Sequence, residues 1–370
     1  MSKNILLGIT GSVAASKSEI LFKNLSLNNN VKIISTDAGL IYLSDEFINN
    51  EKIISSWADS PGSPHIELAR WADKIVIYPA TANFISKMAM GIADDILLST
   101  ILMSNKPTYI APAMHEEMYL NPVIQKNIEK LSRNHIICGP RYGELDIGDT
   151  GYGRLIEPLE MINHFQKDKI KIVVTSGGTT EMIDSVRTIS NSSSGKQGRA
   201  LGMELLSRGY SVTYVHANDI KNIPHANNIS FTDSRSLKKI LQEELSDSTY
   251  LFMTAAVSDF IPDFKDTKLN RTEGAFNLLL SPNEDIVKEI AINFPNLTTI
   301  AFSAQIEDNL NFKKIKDKGV NYLVINNISK NKIGSDFNQV SIINQTELLY
   351  SSKKLKKEKI ASLIIDNTVD

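Results

Sequence analysis

Cysteine is nearly absent: Cys138 is the single one in 370 residues. An internal disulfide is thereby excluded, and a reducing cytoplasm is the expected setting. Long apolar runs are missing too, and none reaches the length that crosses a bilayer. The opening "MSKNILLGITG" holds a short apolar run that stops at a glycine, so a first strand is expected there and not a secretory signal. Charge of one sign is scarce: 40 Lys and Arg stand against 42 Asp and Glu, a formal net charge of −2. The densest basic run, "KKLKKEK" from Lys353, sits on an amphipathic pattern with Ile and Leu and is read as a solvated helix face. No nucleic-acid and no membrane partner is expected. Low-complexity segments and short-period repeats are absent. So are two nucleotide-binding signatures. The G-x-G-x-x-G fingerprint does not occur, and Gly195-Lys196 fails as a Walker loop because Gln197 follows it and Ser190 stands where its first glycine belongs.

What is present is alternation. Apolar strand patterns at Ile5–Ile9, Val31–Ser35, Lys74–Tyr78, Thr108–Ala111 and His135–Cys138 are separated by helical patterns at Val13–Leu27, Ala82–Met103 and Pro122–Arg133. A break follows near "HFQKDKIK", and the pattern restarts. Strands are expected at Ile170–Val174, Ser211–Val215, Tyr250–Thr254, Thr298–Phe302, Tyr322–Ile325 and Val340–Ile343. Helices are expected at Lys196–Ser207, Ser236–Leu245, Asp285–Ile292, Leu310–Lys318 and Lys354–Ile365. This is an α/β chain of two Rossmann-like or flavodoxin-like domains, 1–168 and 169–370. Each should be a mainly parallel sheet with helices on both faces.

Ligands of open parallel sheets sit beyond the carboxyl ends of the strands, where the strand order reverses. In the first half the residues at those ends are small and hydroxylic: "GITGSVAAS", "STDAG", "PATANF" and "APAMHEEMYLNP". Thr10, Gly11, Ser12 and the N–H groups of a helix start could hold a phosphate, or could form only a tight turn with its cap. His65 follows the loop residues Gly62, Ser63 and Pro64, ahead of a helical Ile66–Ala72 segment. It is either an acid/base group facing the crevice or an ordinary exposed histidine. In the second half Asn191, Ser192, Ser193, Ser194 and Gly195 put hydroxyls at another helix start. Three consecutive serines exceed what a cap needs, and a triphosphate cradle is the expectation.

These blocks resemble a known family. "GITGSVAASK", "HIELARWAD", "PATANFISKMAMGIADDIL", "APAMHEEMYLNP" and "GDTGYGRLIEP" resemble the flavin-dependent cysteine decarboxylases. "TSGGTTEMIDSVRTISNSSSGKQG", "TAAVSDF", "FSAQIED", "VINN" and "GSDFNQV" resemble the ligase to which that decarboxylase is fused in bacterial coenzyme A biosynthesis. Over essentially the whole chain, the sequence resembles the bifunctional phosphopantothenoylcysteine decarboxylase/phosphopantothenate–cysteine ligase family.

The resemblance implies that CTP, with Mg²⁺, activates 4′-phosphopantothenate as an acyl-CMP, which the amine of cysteine then attacks. It implies Asn191 and Lys268 as catalytic. It implies Gly178, Ser193, Ser194, Gly195, Ala256, Asp259, Phe302 and Lys318 as substrate or nucleotide contacts. It further implies decarboxylation on FMN, in which the thiol is first oxidised to a thioaldehyde whose C=S group is the electron sink. His65 would be the catalytic base. Gly8, Thr10, Gly11, Ser12, Ser35, Pro79, Ala80, Thr81, Ala82, Asn83 and Asp94 would hold the flavin, and His115, Met118 and Arg154 the substrate. A homo-oligomer with FMN sites between subunits is implied as well; the metal ligands are left open.

Four departures stand out. His115 replaces the usual Asn of the carboxylate motif, here "PAMHEEM". Ile147 stands where the family places a cysteine in its flap, here "LDIGDTGYG". The lysine-rich element after Lys268 is eroded to Asn270 and Arg271, and Gln305 stands for the usual Glu. Two other readings keep their place: a peptidyl-cysteine decarboxylase that stops at the ene-thiol, and a regulatory flavoprotein.

Overall fold

The computed structural model describes residues 2–59, 62–165, 169–266, 274–306, 309–329 and 332–369. It divides into two compact units, residues 1–168 with 207–209 and residues 169–206 with 210–370.

In the first unit six parallel strands lie in the order Ile53–Ile54, Asn30–Ser35, Asn4–Ile9, Lys74–Ala80, Thr108–Pro112, Ile136–Ile137. The pleat sends Ile5, Leu7 and Ile9 to one face and Leu6 to the other. The first set packs with Leu21, Leu25, Phe47, Val76 and Tyr78, and Cys138 is buried in the same core. Leu6 packs with Ile34, Ile75, Ile77, Leu68, Phe84 and Leu97. Burial on both faces is why the strands read as continuous apolar runs. Each such side chain contributes about 1.5–3 kcal/mol when fully buried. The chain winds outward from Asn4–Ile9 in one direction and resumes at Lys74–Ala80 on its other side. The strand order reverses between these two strands, and a crevice opens at their carboxyl ends.

The terminal helix runs over Lys357–Thr368, not Lys354–Ile365, and two further differences bear on the first site. The helix expected over Ala82–Met103 is two helices, Ala82–Met90 and Ile96–Met103. Gly91 closes the first in the left-handed region at φ +73°, and the Asp95 carboxylate opens the second by accepting the Leu98 N–H at 2.7 Å. The helix expected from Ile66 begins at Pro64, because proline at the first helical position has its φ already set. His65 therefore lies in the first helical turn, not in the loop before it.

The second unit repeats the winding. Its order is Asn227–Phe231, Ser211–Ala217, Lys171–Ser176, Tyr250–Met253, Thr298–Gln305, Tyr322–Asn327, Val340–Ile343, Leu348–Ser351. The first six strands are parallel, and the last two are added antiparallel. Its two cores are built around Ile172, Val174, Leu201, Tyr214, Phe252 and Ile364 on one face and Val173, Val215, Leu237, Leu251 and Ile290 on the other. The order again reverses beside the first strand of the unit, between Lys171–Ser176 and Tyr250–Met253. The strand Asn227–Phe231 was not expected, because only Ile229 and Phe231 among its five residues are apolar. No described helix is long and apolar enough to cross a membrane.

Candidate active sites

In the first unit the parallel strands end at one edge, where Thr10–Ser12, Thr36, Ser55–Asp59, Thr81 and Ala113–His115 gather. Thr10 ties the two walls of the crevice together: its hydroxyl donates to the Pro79 carbonyl at 2.9 Å and accepts the Thr81 N–H at 3.0 Å. Ser12 Oγ accepts the Ala14 N–H, and Thr81 Oγ1 accepts the Phe84 N–H, each at 3.3 Å. These hydroxyls serve the fold as ties and caps. Ser35 is buried and donates to the Thr36 carbonyl at 3.0 Å. A Cβ on Gly11 would meet Ala38 at 2.5 Å, and one on Gly8 would meet Ile77 at 2.6 Å. Both glycines are thus required by packing. Pro79 and Ala80 end the strand, while Ala82 and exposed Asn83 open the next helix. Asp94 pairs with Lys87 at 2.6 Å, and that hydrogen bond holds its carboxyl below the usual range.

His65 stands out chemically. Its Nδ1 is buried with no hydrogen-bond partner among the described residues. Its ring meets Trp57 edge-on, with centroids 5.1 Å apart. The loop carrying Trp57 is fixed by Asp59, which accepts the N–H and hydroxyl groups of Ser55 and Ser56 at 2.7–3.1 Å. The N–H donors of Ser55 and Ser56 lower the Asp59 carboxyl to about 2. A ring held this firmly with one nitrogen unpaired suits a polar group that arrives with a ligand.

A hairpin, Arg141–Glu144 with Thr150–Arg154, lies against the loop before Glu116. Met114 N donates to the Gly153 carbonyl at 3.0 Å, and Glu116 accepts the Tyr152 N–H at 2.9 Å. Gly153 has φ +128°, and a Cβ there would strike the Met114 carbonyl. His115 joins the two segments, with Nδ1 on Glu117 and Nε2 on Asp149 at 3.1 Å. Mainly through the Glu117 bond, its pKa lies above the ordinary imidazole value. Met118 is half exposed, and Arg154 donates to Glu157 at 2.8 Å. The side chain of Ile147 lies outside the described residues.

In the second unit two strand-end loops are laced together. Ala256 N donates to Gly177 O at 2.8 Å, Thr179 N to Ala256 O at 3.2 Å, and Ser258 N to Thr179 Oγ1 at 3.0 Å. Asn191 Nδ2 donates to the Val257 carbonyl at 3.0 Å, which fixes its amide at the crevice. A Cβ on Gly178 would meet the Asn191 carbonyl at 2.5 Å. Gly195, at φ +64°, has its carbonyl held by Ser176 Oγ at 2.8 Å. Among the described residues, the hydroxyls of Ser192, Ser193 and Ser194 have no hydrogen-bond partner. The helix Lys196–Ser207 starts immediately after them.

Farther along the same edge, the helix Phe312–Lys318 presents two lysines one turn apart. Lys314 donates to Ser303 Oγ at 2.9 Å, and Gln305 Nε2 reaches the same oxygen at 3.1 Å. Burial, then the neighbouring Lys318 charge, pushes the Lys314 pKa down. Lys318 pairs with Asp285 at 2.6 Å. An open cleft of about 420 Å³ is lined by Asp285, Lys288, Lys313, Lys314, Asp317 and Lys318. Phe302 packs partly into the core, and Asp259 is exposed, its carbonyl accepting the Asn283 N–H at 2.8 Å. Lys314 was not among the residues expected from the sequence. Its position four residues before Lys318, on the same helix face, was the available signal. Lys268, Asn270 and Arg271 lie outside the described residues.

Residues 1–171 match the flavoprotein family, and residues 167–370 match the DNA/pantothenate metabolism flavoprotein C-terminal domain. The chain is 34% identical to the coenzyme A biosynthesis bifunctional protein CoaBC of Borreliella burgdorferi, over 98% of each chain. The chain belongs to the CoaBC family. A CoaBC of Vibrio vulnificus is 32% identical over 88% of this chain and 87% of its own. A cysteine/cysteine sulfinic acid decarboxylase from an unknown prokaryotic organism is 35% identical over 83% of this chain and 91% of its own. Like other CoaBC proteins, the chain is a bifunctional enzyme of coenzyme A biosynthesis that carries phosphopantothenate–cysteine ligase and phosphopantothenoylcysteine decarboxylase activities. Its decarboxylase half is an FMN flavoprotein. The unpaired His65 Nδ1 and the reversal of strand order beside Thr10 fit that cofactor.

Proposed function

We propose that the second unit joins 4′-phosphopantothenate to cysteine with CTP, through an acyl-CMP, and that the first unit then decarboxylates the product to 4′-phosphopantetheine. One contrast supports this reading. One crevice has its hydroxyls bonded inward around an unpaired histidine nitrogen, while the other offers three unbonded serines and a half-buried lysine.

In the ligase unit, Ser193, Ser194 and the N–H groups at the Lys196 helix start hold the triphosphate. Lys314 and Lys318 neutralise phosphate charge, with Asp259 and Phe302 toward the nucleoside. Asn191 has one amide hydrogen and its Oδ1 left for the acyl-nucleotide. Gly178 and Ala256, bridged to each other, let the pantothenate arm lie close to the main chain. Lys268 is assigned to the developing charge on resemblance alone. Mg²⁺, when bound with the nucleotide, would neutralise phosphate charge, and its protein ligands are left open.

In the decarboxylase unit, backbone N–H groups of Gly11 and Ser12 receive the FMN phosphate, and Asn83 and Asp94 lie toward the ring. When bound, FMN supplies a two-electron acceptor for the thiol. His65 moves the proton that accompanies this oxidation. His115, Met118 and Arg154 hold the substrate. The exposed Met90, Leu102 and Val123 support a homo-oligomer that covers this face, with FMN sites between subunits. The single cysteine fits a cytoplasmic setting.

The test is incubation with 4′-phosphopantothenate, cysteine, CTP and Mg²⁺, followed by mass spectrometry. 4′-Phosphopantetheine is expected, and absence of any cysteine adduct overturns the ligase reading. The likeness to a cysteine/cysteine sulfinic acid decarboxylase favours a second reading, in which the free amino acid is the substrate. CO₂ release from cysteine without the pantothenate arm would select it.

A further inference from the structure

We propose that His115 is the acid that protonates the decarboxylated substrate, and that Asp149 of the hairpin is the residue that positions it. The proposal rests on the decarboxylase reading above. Loss of CO₂ leaves an ene-thiolate, –NH–CH=CH–S⁻, which must gain a proton on carbon before it can be reduced to the saturated arm. His115 Nε2–H supplies that proton. The N–H bond breaks and a C–H bond forms at the carbon that lost CO₂, using the C=C electron pair. A sulfur lone pair closes the C=S bond, and the imidazole regains its proton from water.

The geometry supports both roles. Both ring nitrogens of His115 are engaged by carboxylates, Nδ1 by Glu117 and Nε2 by Asp149. An ionised carboxylate can only accept, so this pairing favours the ring with hydrogen on both nitrogens, the imidazolium. Glu116, the third carboxylate of this loop, is committed elsewhere. It accepts the Tyr152 N–H at 2.9 Å and lies directly over Gly151. Asp149 follows Gly148 at the hairpin turn, where Leu145 N donates to the Asp149 carbonyl at 2.8 Å. The hairpin is in turn seated on the loop through Met114 and Gly153. The charged group therefore bridges the segment proposed to hold the substrate and the hairpin beside it. Substrate arriving at this edge would share the Nε2 proton with Asp149, which keeps the ring turned toward the hairpin, while Glu117 holds Nδ1.

The test combines the full chain labelled with ¹⁵N-histidine and single-turnover product analysis. In wild type, the His115 resonances should titrate above the ordinary imidazole range, and Asp149→Asn should move that midpoint down. With phosphopantothenoylcysteine, His115→Asn should still release CO₂ but leave a product two hydrogens short of phosphopantetheine. Asp149→Asn should make the saturated product, with its rate falling off at lower pH than in wild type. Saturated product from His115→Asn at the wild-type rate overturns the proposal. So does an Asp149→Asn midpoint and pH profile equal to wild type, a result that stands even if His115→Asn fails to fold. No CO₂ from the wild-type chain would instead overturn the decarboxylase reading and leave the titration to judge His115.

Discussion

The two crevices have the same strand order and opposite polar economies. In the first unit Thr10, Ser12 and Thr81 all bond to the protein itself, so a phosphate bound there as proposed would meet main-chain N–H groups on a preformed wall. In the second unit Ser192, Ser193 and Ser194 bond to nothing described, and the cations lie on a separate helix. A preformed wall suits a cofactor that stays, since little ordering remains to be done when it binds. Loose hydroxyls and lysines suit a nucleotide that must enter, react and leave within each cycle. The winding places both crevices, and under the proposed function their side-chain commitments would decide which kind of ligand each one takes.

The largest break in this comparison should come from His65→Asn. Decarboxylation is expected to fall by about 10²–10⁴-fold, the usual range for a general acid or base, while FMN absorbance and ligation persist. A colourless protein would mean that His65 builds the flavin site instead. Asn191→Ala should be the mirror image, lowering ligation by roughly 10²-fold and leaving decarboxylation of added phosphopantothenoylcysteine intact. Loss of both activities in a folded, yellow protein would contradict separate sites.

Lys314→Met sharpens the contrast in cations. Removing a half-buried charged donor should weaken nucleotide binding by about 1.5–3 kcal/mol, read as a higher KM for CTP. The pH dependence has a definite sign. A lysine held below its ordinary 10.5 loses its charge earlier on raising pH, so CTP affinity should fall through that lowered value and be complete below it. A profile unchanged by Lys314→Met would remove this residue from the site. The smallest effect is structural: Thr10→Val leaves the Pro79 carbonyl and Thr81 N–H unpaired and should cost about 1–3 kcal/mol in the first unit's melting transition. An equal shift in both units would argue against their independence.

Much of this was legible in the sequence. The apolar runs at Ile5–Ile9 and Ile170–Val174 marked both first strands, because burial on two faces leaves few polar positions. Loops after strands marked the crevices. The break over residues 91–95 was overlooked because the residues on both sides keep a helical pattern, although Gly91 as a stop and Asp95 as a cap were its signals. Lys314 was hidden because its value depends on burial against Ser303, which is distant in sequence. The commitments of Thr10 and Thr81 were equally hidden, because a hydroxyl in a loop reads the same whether it faces a ligand or a carbonyl.

Mixing two crippled chains tests the central claim of two complete, separate sites most directly. His65→Asn alone should accumulate phosphopantothenoylcysteine, and Asn191→Ala alone should make little cysteine adduct in the same time. An equimolar mixture given 4′-phosphopantothenate, cysteine, CTP and Mg²⁺ should restore 4′-phosphopantetheine in the mass spectrum. A mixture of folded, FMN-bound chains that makes none would contradict the account.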